Sequence, residues 1–220
     1  MCRRYTYYPS EFPDLRLDEP FLQFNHRFNI APGRNAPVIV AKKDRNALDM
    51  FRWGLIPKGA KEAAIGYMMI NARAETVTEM LPFKRLVGKR HCLVLANGFY
   101  QWRRDGKQKF PMHFKLKSGE SFTFPGLWDT WRQPDGTILS TYTLLTTTAN
   151  ELVGAVHNRM PVIFETDAAL QWLACVPEMM PHCLELLKPF PAEQMTAYEV
   201  SPLVNNSKID SPECVKPTSR

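Results

Sequence analysis

The chain has 220 residues, of which 45% are hydrophobic and 23% charged, with a formal net charge of +6. These values fit one globular domain with a substantial core, exclude a disordered or fibrous chain, and admit a polyanionic partner. Five cysteines without a CxxC pair argue against a disulfide framework and a zinc ribbon, and no apolar run approaches the roughly 20 residues of a membrane span. Position 2 onward is polar and carries arginines, unlike a secretory leader, so a cytoplasmic location with reduced thiols is expected.

In chain order, the stretch 9–33 is irregular, because its prolines prevent a long helix. Strand-like segments follow. PVIVAKK (37–43), DMFRWGLIP (49–57) and HCLVLANGFYQW (91–102) are rich in β-formers and bounded by turn residues. KFPMHFKL (109–116) and SFTFPGLW (121–128) flank the turn KSGE and read as a hairpin. STYTLLTTT (140–148) and RMPVIFE (159–165) add further strands.

Helices are few and short. AETVTEML (74–81) stops at Pro82, NELVGAVH (150–157) is capped by Asn150, and TDAALQWLACV (166–176) starts at Thr166 or Asp167. EMMPHCLELLKPF (178–190) continues helix-like after Pro181, and the polar end reads as a loose tail. Closely spaced strands with short helices between them predict a single α+β domain around a curved, mostly antiparallel sheet. Cys92, Cys175 and Cys183 lie in apolar surroundings and read as core residues.

Residues with chemical potential fall in a few places. Once Met1 is removed, Cys2 carries an α-amine and a thiol on one backbone position. An α-amine has a reference pKa of about 7.7–8.0 against about 10.4 for lysine, so far more of it is neutral at pH 7 and able to attack an aldehyde. The neighbouring thiol can then close the imine to a five-membered thiazolidine. Arg3 and Arg4 are expected to favour thiolate and attract phosphate. Taken alone, position 2 reads first as a chance cysteine at a disordered chain end.

INARAET (70–76) offers the amide of Asn71, the guanidinium of Arg73 and the carboxylate of Glu75, or simply a strand-to-helix junction. In LANGFYQWRRDGK (95–107), Gln101, Trp102, Arg103 and Arg104 set aromatic faces beside guanidinium groups, which suits unstacked bases, or end a core strand at a solvated hairpin. His157 in AVHNRMPVIF (155–164) sits at a junction where a proton shuttle or a structural histidine fits.

The order of these motifs carries more than each alone. Cys2 with Arg4, then FNIAPG (28–33), RWGLIP (52–57), NARAET (71–76), ANGFYQW (96–102) and VHNRMPVI (156–163), resemble the SOS response-associated peptidase (SRAP) family, whose bacterial members are YedK-type proteins. The resemblance runs from Cys2 to about Val204, giving a domain over 1–204 and a polar tail over 205–220. It implies a barrel-like sheet core with short peripheral helices, and a thiazolidine cross-link between the N-terminal cysteine and the aldehyde of an abasic site in single-stranded DNA. The implied catalytic set is Cys2, Asn71, Gln101 and His157, with Asn71 holding the cysteine terminus and sugar and His157 moving protons. Arg3, Arg4, Pro32, Trp53, Arg73, Trp102 and Arg159 fall where the family meets DNA.

The implied partner is single-stranded DNA or a single-strand/double-strand junction bearing an abasic site. The protein would act as a monomer, associate with the nucleoid when bound, and need neither metal nor organic cofactor. Two positions depart from the family pattern. Gln101 stands where a glutamate acts as acid or base, so slowed ring opening or reversal is expected, and Arg3 stands where glycine is usual. Two other functions remain open: a peptidase using Cys2 as an N-terminal nucleophile, and a single-stranded-DNA-binding module with weakened chemistry.

Overall fold

The computed structural model describes residues 2–8, 15, 17, 25–42 and 45–218, so most of the proline-rich stretch 9–24 lies outside the described residues. Its strands are β1 (Tyr5–Tyr7), β2 (Arg27–Ile30), β3 (Asn35–Ala41), β4 (Asn46–Trp53), β5 (Asn71–Arg73) and β6 (His91–Ala96). The second half supplies β7 (Gly98–Asp105), β8 (Gln108–Leu116), β9 (Phe122–Arg132), β10 (Ile138–Thr148), β11 (Arg159–Pro161) and β12 (Met195–Glu199). Four short α-helices accompany them: α1 (Leu81–Lys84), α2 (Glu151–Gly154), α3 (Thr166–Leu173) and α4 (Met180–Glu185).

Two sheets share one core. The first runs β12-β8-β7-β1-β2, and the second runs β11-β10-β4-β3-β6-β9 and closes because β9 also pairs with β10. Closure leaves a ring with no free edge, which is the barrel-like core. Pairing between the named strands is antiparallel except where β10 meets β4 and β5, and Leu17 adds one parallel bridge to Asn46 of β4. The long β10 changes partners along its length: β9 and then β11 on one edge, β4 and then β5 on the other. That switch brings Asn71 and Arg159 to the same end of the molecule.

The expected strand over 91–102 is two strands in different sheets. It breaks at Asn97, whose amide N–H donates to the Thr6 carbonyl at 3.1 Å, and resumes at Gly98. Gly98 is required by close approach: a Cβ there would lie 2.3 Å from His113 Nε2. The expected 109–128 hairpin also does not form. β8 pairs with β7 and β12, β9 pairs with β6 and β10, and the KSGE segment crosses between sheets. The β7–β8 hairpin turns instead through the basic stretch at Gly106.

Pro82 does not stop a helix over 74–81. That stretch holds a 3-10 turn at Ala74–Thr76, and Pro82 lies in the first turn of α1, where its missing N–H costs nothing. Asn150 does cap α2, accepting from the Val153 N–H at 2.9 Å. The stretch 205–218 is packed, not loose. Asn29, 1% exposed, donates from its amide to the carbonyls of Val204, Asn206 and Ile209. Asp210 accepts from the backbone N–H of Asn29 and pairs with Arg27, while Tyr100 donates to the Cys214 carbonyl.

One further expectation fails. Cys175 and Cys183 are buried as expected, but they are joined in a disulfide across the short link between α3 and α4. An odd cysteine count speaks against a disulfide framework but does not forbid one local pair. Cys2, Cys92 and Cys214 are the free thiols among the described residues.

Candidate functional site

β1 sets the position of Cys2. Tyr5 and Thr6 pair with Phe99 and Gly98 of β7, and the Tyr100 N–H donates to the Arg4 carbonyl at 3.0 Å. The Tyr5 hydroxyl lies 2.7 Å from the Tyr142 hydroxyl in β10, so the N-terminal strand is tied to both sheets. Cys2 is therefore fully buried rather than fraying at a chain end. Its thiol donates to the Arg4 carbonyl at 3.4 Å, and its own carbonyl accepts from Asn71 Nδ2 at 2.7 Å.

Burial decides the ionisation of Cys2. Desolvation pushes its thiol up to about 12, outweighing the lowering effects of a backbone hydrogen bond with Arg4, the chain's positive terminus and the Arg4 charge. The expectation that Arg3 and Arg4 favour thiolate is therefore overturned. Burying a charged sulfur costs more than the Arg4 charge returns.

Asn71 sits on β5, 8% exposed, and its backbone is fixed opposite Leu144 of β10. The side-chain oxygen of Asn71 is buried and has no hydrogen-bond partner among the described residues. A buried amide oxygen left unmatched is costly, and it is a ready acceptor for an incoming N–H or O–H.

Gln101, 2% exposed on β7, donates from Nε2 to the Arg159 carbonyl at 3.2 Å and so links the two sheets beside Cys2's strand. The Arg159 guanidinium grips both oxygens of Glu75, at 2.6 and 2.9 Å, and donates to the Thr146 carbonyl at 2.6 Å. This fork holds the Glu75 carboxyl below its ordinary range, so it stays ionised near neutral pH and is a poor proton donor. The backbone N–H of Arg159 donates to His157 Nδ1 at 3.0 Å, which leaves Nε2 as the proton-bearing nitrogen of the neutral ring. Partial burial, followed by the positive charge of the amino terminus, lowers the His157 pKa.

The residues expected to meet DNA separate into exposed and buried sets. Arg3 and Arg73 are exposed, and Arg4, Pro32 and Trp102 are partly exposed. Trp53 is 1% exposed, stacks with Tyr142 and donates from Nε1 to the Ile70 carbonyl at 2.8 Å, so it braces the site from within the core. Arg159 is committed to Glu75 and Thr146. Tyr67, which no sequence motif marks, is 60% exposed beside the Pro32–Gly33 turn, with the Arg52 guanidinium over its ring. A Cβ on Gly33, whose φ is +83°, would lie 3.2 Å from the Tyr67 hydroxyl, so glycine is what lets the ring settle there. Tyr67 stands four residues before Asn71 in no recognisable motif, which is why only the fold reveals it.

Residues 1–207 match the family described as SOS response associated peptidase (SRAP). Among relatives, the chain is 41% identical over 223 residues to "Abasic site processing protein YoqW" of Bacillus subtilis (strain 168), covering 98% of this chain and 99% of that one. It is 31% identical to "Abasic site processing protein HMCES" of Xenopus tropicalis over 88% of this chain and 66% of that one. A solved structure from Bacteroides thetaiotaomicron superposes with a TM-score of 0.78 at 27% identity, covering 87% of this chain and 85% of that one. One from Bordetella bronchiseptica gives 0.75 at 23% identity, over 91% and 100% of the two chains, and shows the shared fold alone.

Proposed function

The chain belongs to the SOS response-associated peptidase family, and from that premise we propose that it captures abasic sites in single-stranded DNA as a covalent thiazolidine on Cys2. The names of its relatives as abasic site processing proteins support the substrate class. The observation that carries the reading is the 2.7 Å hydrogen bond from Asn71 to the Cys2 carbonyl, which fixes an N-terminal cysteine against a buried, unmatched amide oxygen. A cysteine serving only as filler has no need of such an anchor.

The chemistry follows from which nucleophile is available. Removal of Met1 frees the Cys2 amine, and the raised thiol pKa keeps the sulfur protonated. The neutral amine attacks C1′ of the ring-opened sugar and the adduct loses water to leave an imine. The Sγ–H then adds across the C=N bond: sulfur bonds to C1′ and its proton goes to nitrogen. One water leaves overall and no redox partner is needed. Asn71 Oδ1 would accept from the amine or a sugar hydroxyl, and His157, neutral at pH 7, would relay protons for ring opening.

Gln101 supplies a hydrogen bond where a carboxyl would supply a proton. We expect capture to persist with ring opening or reversal slowed. Glu75 does not replace that proton source, because Arg159 holds it ionised. Arg3 and Arg73 would contact phosphates, while Pro32, Trp102 and Tyr67 would offer surfaces to unstacked bases.

The test is incubation with an abasic single-stranded oligonucleotide followed by denaturing electrophoresis. A denaturant-resistant adduct that disappears in Cys2→Ala supports the proposal. Binding without an adduct would favour a binding-only module, and it would overturn covalent capture.

A further inference from the structure

Resting on the single-stranded-DNA reading above, we infer that Asn205 is a positioning residue that fixes the Trp102 ring at the DNA-facing rim. The C-terminal segment is an integral wall of the site. Asn205 closes the 3-10 turn Pro202–Asn205, and its side-chain oxygen accepts from Trp102 Nε1 at 2.7 Å. Its backbone carbonyl accepts from Arg4 NH2 at 3.4 Å. One exposed residue thus touches the neighbour of Gln101 and the arginine whose carbonyl receives the Cys2 thiol.

The turn that carries Asn205 is held from below. Asn29 binds the carbonyls of Val204, Asn206 and Ile209, and Val204 is fully buried with Tyr100, Val200 and Cys214. The position of Asn205 is therefore set by the core, while its side chain does no core packing. A partly exposed indole that is free to rotate pays an ordering cost each time it stacks on a base. An acceptor on a rigid turn removes that cost in advance. This makes Asn205 a determinant of DNA affinity and not of the chemical step.

The side-chain variant separates the two contacts, because Asn205→Ala leaves the carbonyl that receives Arg4. In Asn205→Ala the indole N–H proton resonance of Trp102, identified by its absence in Trp102→Phe, is expected to shift and to exchange faster with water. The Kd for an undamaged single-stranded oligonucleotide is expected to rise about 3- to 10-fold, the worth of one hydrogen bond. The cross-linking rate at saturating abasic DNA should stay within twofold of the parent. Asn205→Asp keeps an oxygen acceptor and should keep the indole resonance in place. An unmoved resonance or an unchanged Kd in Asn205→Ala would overturn the inference, as would loss of the resonance in Asn205→Asp. A parent protein that binds the undamaged strand but forms no adduct would defeat covalent capture, yet leave the resonance and Kd comparisons valid.

Discussion

Asn71 Nδ2 donates to the Cys2 carbonyl at 2.7 Å while Asn71 Oδ1, equally buried, has no partner among the described residues. The first contact holds the terminus, and on the proposed function the second oxygen would accept from the amine or the sugar. Asn71→Ala removes both and strands a buried carbonyl, at about 1–3 kcal/mol. Single-turnover cross-linking is expected to slow by about 10- to 100-fold. Asn71→Asp, which turns the donor into an acceptor, should lose a similar factor. A rate within twofold of the parent in both variants would remove Asn71 from the site.

Gln101→Glu should restore a proton source. The new carboxyl would sit in a buried position facing the Arg159 carbonyl oxygen, and both burial and that acceptor favour its protonated form. Its pKa is expected above the ordinary glutamate value of about 4.3, toward the working range. Cross-link formation or reversal should accelerate, by up to about 10²–10⁴ if proton transfer limits the rate. The pH–rate profile should gain a limb absent from the parent. An unchanged rate and profile in both directions would show that the glutamine costs nothing.

Acid should loosen the fold through two buried histidines. His91 accepts from the Gly88 N–H and stacks on Trp172, and burial lowers its pKa to about 4; burial lowers His113 to about 3. Both are neutral in the folded chain, while the unfolded chain takes up protons below about pH 6.5. Stability is therefore full above that pH and falls as pH drops toward the folded values, by up to about 1.4 kcal/mol per pH unit for each group. Thermal melts between pH 6.5 and 5 should show this slope, and His91→Gln should reduce it by about half. A flat profile would contradict the assignment.

The Cys175–Cys183 pair is directly countable. Titration of the unfolded, unreduced chain should find three thiols, from Cys2, Cys92 and Cys214, and five after reduction. Reducing so short a loop should cost about 2–3 kcal/mol of stability. Five thiols before reduction would mean that the pair is open.

Much of this was readable from the chain because motif order survives when individual motifs are ambiguous. The strands around Val38, Leu93 and Leu144 follow from β-rich runs between turn residues, and Asn150 announced its helix. What failed were features that depend on distant partners. Nothing near Asn97 says that one apolar run feeds two sheets, and the need for glycine at 98 is visible only once the His113 ring lies against it. Trp53 reads as an available aromatic until Tyr5 and Tyr142 enclose it. The thiolate expectation weighed Arg3 and Arg4 but could not weigh burial. The tail looked loose because Asn29, which binds it, lies about 180 residues earlier.

Bonding of both the Cys2 amine and thiol to one sugar carbon is tested most directly by whether the adduct survives denaturation without borohydride, with its intact mass fixing the stoichiometry. The expected species has the mass of the chain without Met1 plus the abasic oligonucleotide minus one water. It must form without borohydride, survive denaturation, and be absent in Cys2→Ala. An adduct that appears only after borohydride trapping, or one that persists in Cys2→Ala, would contradict the account.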